Sequence, residues 1–343
     1  MDVRDSKTVG VRALILREFE LSALDGRREK AGHLCTTDQG PVLLQKARAS
    51  KEALILAHFV KERLNSAGFG NTDRFLTTKI GQPFFELDRE LYTVSRFTGG
   101  AEARFDDAAG VADFAADLGR MHRITMSESF FKDCPLPLPR HKEHAAFTAE
   151  GGFEKQLRVM RGYKKMVQKQ SRMSDFDICF LKCFDAYERR VAHCMKQRHH
   201  VDKDGVFAHN LLKEETLLTK ENRGYITCFD ECSGDTGIFD LASVIKRHLR
   251  AASMGAPAAA PSQSLELILG RYSAEMPLTP GDKNALYTIL LFPDKFYKTC
   301  IKYYSKKRTW TPAAFNSALE DLQRGDDWLD DVSGYFGDAQ NQR

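Results

Sequence analysis

At 343 residues, with 51 Lys and Arg against 47 Asp and Glu and a formal net charge of +4, the chain is long enough for two domains or one large one. It is too nearly neutral for charge alone to mark a nucleic-acid binder, so nucleic acid is not expected as a partner. No apolar run has the length of a membrane span, and charges interrupt every apolar stretch of MDVRDSKTVGVRALILREFEL, so neither a membrane helix nor a secretory leader is expected and a cytoplasmic location is.

The first hundred residues read as strand-rich with one helix. VRALILREFEL opens a helix or a strand. HLCTTDQGPVLLQKAR carries a hairpin turn at Asp38-Gln39-Gly40. In SKEALILAHFVKERLNSAG, Ala53, Leu54, Leu56, Ala57, Val60 and Leu64 fall at helical spacing, with Ser50 as N-cap and Gly68 as the residue that stops the helix. A turn at Gly81-Gln82-Pro83 and two β-rich runs, FFEL and LYTVSRF, follow, and Thr98-Gly99-Gly100 reads as a hinge.

Beyond Phe105 the pattern is helical. Val111, Phe114, Ala115, Leu118 and Met121 mark one helix face; GGFEKQLRVMRGYKKMVQKQ is a basic amphipathic helix, and SDFDICFLKCFDAYERRVAHCMKQ is another, capped by Ser174 or Asp175. The basic helix reads either as a solvated face or as a docking face for an acidic partner. MGAPAAAPSQS is an Ala-, Pro- and Ser-rich surface loop, and a last helical region runs from Asp282 to Leu322. The eight Cys, at 35, 134, 179, 183, 194, 228, 232 and 300, include no CxxC pair, which predicts reduced thiols rather than a zinc site.

One segment interrupts the helices. Residues 206–241 read VFAHNLLKEETLLTKENRGYITCFDECSGDTGIFDL: a His, a hairpin-like spacer, an acidic turn and an Asp-Leu opening a helix. This resembles the active-site segment of aminoglycoside- and choline-kinase-like phosphotransferases, whose catalytic loop runs His-x-Asp-x-x-x-x-Asn-x-Leu and is followed by a hairpin, Ile-Asp-x-Asp/Glu and an Asp-Leu. Within that superfamily the chain is most similar to the spore-coat protein CotS family. The resemblance spans about residues 30 to 325 and rests on 40–48 (GPVLLQKAR), 91–99 (LYTVSRFTG), 118–122 (LGRMH), and 292–297 (FPDKFY) with Tyr303, Tyr304 and Trp310. It implies an α+β, bilobal protein-kinase-like (aminoglycoside phosphotransferase-like) fold. The small β-rich lobe would cover residues 1–98 and the large helical lobe 99–343.

Phosphoryl transfer needs an Asp to position the acceptor, an Asn and a second Asp to hold Mg²⁺, and a strand Lys on the phosphates. On the family frame, Leu211 stands at the first Asp and Thr216 at the Asn. Cys228 stands at the metal Asp, and Gln45 at the Lys. Leu211 has no lone pair to offer, and a thiol is a soft ligand where Mg²⁺ wants hard oxygen. Lys46 reaches the Lys face only if the strand bulges, because neighbouring strand residues face opposite ways. Asp230 keeps the second acidic position and, by strand alternation, shares a face with Cys228; it is the remaining metal candidate. Glu231 and Asp235 read as a solvated acidic turn. His209, His122 and Asp240 read as structural, Asp240 capping its helix or bracing the loop.

The resemblance therefore implies a CotS-like pseudokinase without catalytic residues, associated with spore-coat protein partners and placed in the mother-cell cytoplasm or the spore coat. ATP and Mg²⁺ are the cofactors the superfamily would bring. Two other readings stay open. One is an active small-molecule or sugar phosphotransferase using Asp202, Asp204, Glu214 or Glu215 from shifted positions; the other is a metal-independent nucleotide-binding module.

Overall fold

The protein is described by a computed structural model over residues 3–30, 32–96, 99–127, 129–144, 147, 151–197, 207–254, 260–305, 311–324 and 328–341. Thr98, Trp310, Asp202, Asp204 and residues 255–259 of the Ala/Pro-rich stretch lie outside these residues, and that stretch is not loop to its end, because a helix starts at Pro261. Among the described residues no helix is long and apolar enough to cross a membrane. The contacts divide the chain into two compact units. Unit 1 holds residues 1–104, 117–139 and 209–234; unit 2 holds 105–116, 140–208 and 235–343. The catalytic-loop segment thus groups with the N-terminal sheet. A lobe boundary at residues 98/99 follows chain order instead, and remains a proposal.

Unit 1 opens with α1 (Val3–Glu18), which settles the helix-or-strand choice for VRALILREFEL in favour of a helix. An antiparallel sheet follows, built from β1 (Ala23–Arg28), β2 (His33–Thr37), β3 (Gly40–Lys46), β4 (Phe85–Leu87) and β5 (Glu90–Arg96) in the order β1-β2-β3-β5-β4. Ile15, Leu16, Phe19 and Leu21 close its core against Cys35, Val42, Leu44 and Val94. The β2–β3 hairpin turns where expected, with Gly40 at a φ of 97°. FFEL and LYTVSRF are joined by Asp88 and Arg89, whose φ values of 52° and 64° suit the tight two-residue turn whose twist matches the strands. The Gly81 turn lies upstream of that hairpin.

Helix α2 (Lys51–Ser66) is capped at Ser50, whose hydroxyl accepts from the Ala53 N–H at 3.3 Å, and Gly68 follows its end at a φ of 84°. Arg120, on α3 (Ala108–Thr125), donates to the Gly68 carbonyl at 3.0 Å, completing that end with a cation. A second small sheet joins β6 (Ala101–Glu102), β7 (Leu217–Lys220) and β8 (Arg223–Ile226). Gly100 lets β6 approach β7, since a Cβ there would meet the Thr219 carbonyl oxygen at 2.8 Å.

Unit 2 is helical: α4 (Gly152–Gln168), α5 (Asp175–Gln197), α6 (Ile238–Met254), α7 (Pro261–Glu275), α8 (Pro280–Leu291), α9 (Asp294–Ser305), α10 (Pro312–Arg324) and α11 (Leu329–Asn341). Ser174 caps α5 by accepting from the Asp177 N–H at 3.2 Å. The basic helix α4 spends part of its charge on its neighbour, with Lys164 3.0 Å from Asp185 and Arg161 paired to Glu188, both on α5. The last helical region is broken at Pro293, which cannot continue α8, and α11 extends the helices beyond Leu322.

Candidate functional site

Residues 209–216 form a loop held together by its own polar groups. His209 is fully buried, its edge against Phe229 with ring centroids 4.6 Å apart. Its Nδ1 accepts from the Leu211 N–H at 3.2 Å and its Nε2 donates to the Thr227 carbonyl at 3.1 Å, a pattern that places the ring proton on Nε2. Nδ1 thus braces the loop internally, and Nε2 ties it to the segment that follows β8. Thr216 closes the loop from its far end. Its single hydroxyl proton is shared between the Leu211 carbonyl and the Lys213 carbonyl, and its oxygen accepts from the Lys213 N–H at 3.0 Å. It is buried at 2 % exposure.

Gln45 lies on β3 opposite Thr93, in a ladder whose register runs unbroken from Val42–Arg96 to Lys46–Tyr92. The bulge that would turn Lys46 onto the face of Gln45 is therefore not present in this ladder. Lys46 is exposed and pairs with Glu90 at 3.0 Å. Of the acids considered as shifted replacements, Glu215 points toward cations: Lys30, in the β1–β2 turn, lies 3.8 Å from it and 2.7 Å from Glu102 on β6.

The strand alternation expected to align Cys228 with Asp230 does not reach them, because β8 ends at Ile226. Cys228 adopts a left-handed conformation, φ 61° and ψ 68°, and Phe229–Glu231 form a turn of 3-10 helix. Beside this turn stands a buried cation that the sequence reading passed over. Lys61, on α2, is fully buried. Its Nζ sits 3.0 Å from Asp73 Oδ1, 3.7 Å above the Phe75 ring and 5.7 Å from the Phe229 ring centre. The same Asp73 oxygen accepts from the Cys228 N–H at 3.2 Å. One carboxylate thus ties the helix to the turn.

These surroundings act on the two side chains of the turn. Burial, then the neighbouring Asp73, pushes the Cys228 thiol up to about 11 against the pull of Lys61. The Asp230 carboxyl is raised by burial, with Lys61 opposing and Asp73 and Glu231 adding to the rise. A Mg²⁺ pair does not fit this donor set: the thiol is soft and protonated, the Thr216 hydroxyl is spent in its loop, and an ammonium already stands beside the acids. Among the described residues no group of three or more His, Cys, Asp or Glu is arranged to hold a metal ion.

In unit 2, Asp235 corrects the expectation of a solvated acidic turn. It is fully buried, accepts from the His141 N–H at 2.8 Å and lies 3.2 Å from His144 Nδ1, whose ring stacks on Phe239. Asp240 is buried in the first turn of α6, where negative charge suits the helix dipole, and just before that turn the Thr236 hydroxyl accepts from the Ile238 N–H at 3.4 Å. His122 is buried on α3.

The sequence matches no family model, and a search of curated proteins finds no match either. Solved structures do match. An aminoglycoside phosphotransferase from Alicyclobacillus acidocaldarius superposes with a TM-score of 0.78 at 16% identity, covering 96% of this chain and 95% of that one. An AMP-bound spectinomycin phosphotransferase gives 0.63 at 11% identity, covering 95% and 96%. A choline kinase from Cryptosporidium parvum gives 0.53 at 13% identity, covering 90% of each chain. The fold is aminoglycoside phosphotransferase-like. In that fold the small antiparallel sheet and the mostly helical remainder are the α+β arrangement the motifs implied.

Proposed function

We propose that the chain is a catalytically silent member of the phosphotransferase fold, a pseudokinase that binds or scaffolds protein partners, of the spore-coat CotS type and placed in the mother cell or the spore coat. One observation carries the reading: Gln45, Leu211, Thr216 and Cys228 depart from the required chemistry at all four positions at once, and the polar groups of the loop are turned inward. Thr216 and His209 bond their own loop and turn, as they would in a loop kept for its shape. The sporulation assignment is supported by the resemblance of the motifs at 40–48, 91–99, 118–122 and 292–304.

An active enzyme would need a carboxylate at the position of Leu211. Glu215, a candidate for that part, is placed toward Lys30 and Lys213. Thermal unfolding with ATP, with and without Mg²⁺, separates the readings, because a ligand that binds the folded state raises its melting temperature. A silent scaffold shows no shift in either condition. A shift without Mg²⁺ marks a metal-independent nucleotide module, and a shift that requires Mg²⁺ overturns the assignment.

A further inference from the structure

We propose that Lys61, paired with Asp73 at the 228–230 turn, is the resident cation there, an ammonium carried on α2 that stands in for the divalent ion a phosphotransferase of this fold would hold at that turn. The proposal rests on the reading of Cys228 and Asp230 as the former metal pair and adds what now balances their charge.

Four observations carry it. Lys61 is fully buried, on the apolar stripe formed by Leu54, Ala57 and Leu64, where a lysine is costly unless paired. Its Nζ meets a carboxylate, Asp73, at 3.0 Å rather than another helix residue. That carboxylate also receives the Cys228 N–H, so the ammonium stands at the turn itself. The ring of Phe229, between Cys228 and Asp230, lies 5.7 Å from Nζ. The positive charge at the turn is supplied by the chain. A second cation placed beside Lys61 would be repelled by it, and the site therefore excludes metal while it holds the turn against α2.

The test uses the full chain and Mn²⁺ alone, with the free ion counted by electron paramagnetic resonance. In the wild type, Asp230→Asn is expected to leave the Mn²⁺ titration unchanged. Lys61→Met keeps the volume of the side chain and removes its charge, and it is expected to tighten Mn²⁺ binding by about tenfold or more. Adding Asp230→Asn to Lys61→Met is expected to abolish that gain. Equal Mn²⁺ binding by folded wild type and Lys61→Met overturns the proposal, as does wild-type binding that Asp230→Asn removes. If Lys61→Met does not fold, ¹⁵N-resolved NMR of the wild type decides. A slowly exchanging Lys61 ammonium signal that moves in Asp73→Asn supports the pairing, and a rapidly exchanging, unmoved signal overturns it. ATP turnover is read separately: a wild type that turns over ATP sinks the silent reading and leaves these metal titrations to decide the role of Lys61.

Discussion

The Thr216 hydroxyl donates to the carbonyl of Leu211, five residues earlier, so the two residues that we propose stand at the Asn and Asp positions of a catalytic loop are bonded to each other. Replacing Thr216 with Val keeps the shape and removes the buried hydroxyl, leaving the part-buried Lys213 N–H without its side-chain acceptor. Chemical denaturation of Thr216→Val is expected to show a loss of about 1–3 kcal/mol, the usual cost of orphaning a buried polar group. A variant as stable as the wild type would mean that the hydroxyl does not hold the loop.

Asp230 makes a pH prediction of definite sign. Its folded-state pKa is raised, chiefly by burial. A carboxyl raised on folding favours the folded state at pH below its unfolded value of about 4, and that contribution is lost as pH rises through the folded value. Once ionised, Asp230 therefore works against folding. Asp230→Asn is expected to raise the melting temperature at pH 7 and to gain less at pH 4. Equal gains at both pH values would show that ionisation is not the cause.

Asp294 has the opposite sign. Burial opposes its charge, but Lys246 and Arg250 outweigh burial and hold the carboxyl well below its ordinary range. Lys246 donates to it at 3.0 Å and also to the Phe292 carbonyl, tying α6 to the start of α9. A carboxyl lowered on folding stabilises above its unfolded pKa, and the contribution disappears as pH falls below about 4 toward the folded value. Asp294→Asn is expected to cost about 2 kcal/mol at pH 7, below the ~3–5 kcal/mol of a fully buried pair because its side chain is 30% exposed. Melting curves from pH 7 to 2 check this: the variant's deficit shrinks with acid. A deficit independent of pH would assign the loss to packing.

Much of the fold was legible in the sequence. Ser50 and Gly68 bound α2 as their chemistry requires, and Ser174 caps α5. The turn at Asp88 and Arg89 was not, because Arg89 stands where such a turn usually has Gly, although Asp88 suits its place. The candidate site was half legible. The departures at Gln45, Leu211, Thr216 and Cys228 are what the resemblance implies once the residues are set on the family frame, but what we propose compensates them is tertiary. Lys61 did leave a signal, since it falls four residues after Ala57 and three before Leu64 on the apolar face of α2. Its partner Asp73 left none, lying in a loop with no periodicity. Asp235 reads like any acid in a turn, and its burial depends on residues 141 and 144, far away in the chain.

Restoring one acid should not restore a metal site. Cys228→Asp would set a third carboxylate beside Asp73 and Asp230 with Lys61 as the nearby cation, and burying a further charge there is expected to cost about 1–3 kcal/mol of stability. Denaturation of Cys228→Asp, with and without Mg²⁺, checks this. Destabilisation that Mg²⁺ does not relieve is the expected result, and Mg²⁺-dependent rescue would show that the turn still accepts a divalent ion.

The most direct measurement is phosphoryl turnover by the purified full-length protein, followed as release of phosphate from ATP with and without Mg²⁺. The account predicts none above the buffer rate in either condition, and no difference between wild type and Asp230→Ala. Mg²⁺-dependent turnover that Asp230→Ala removes would contradict it.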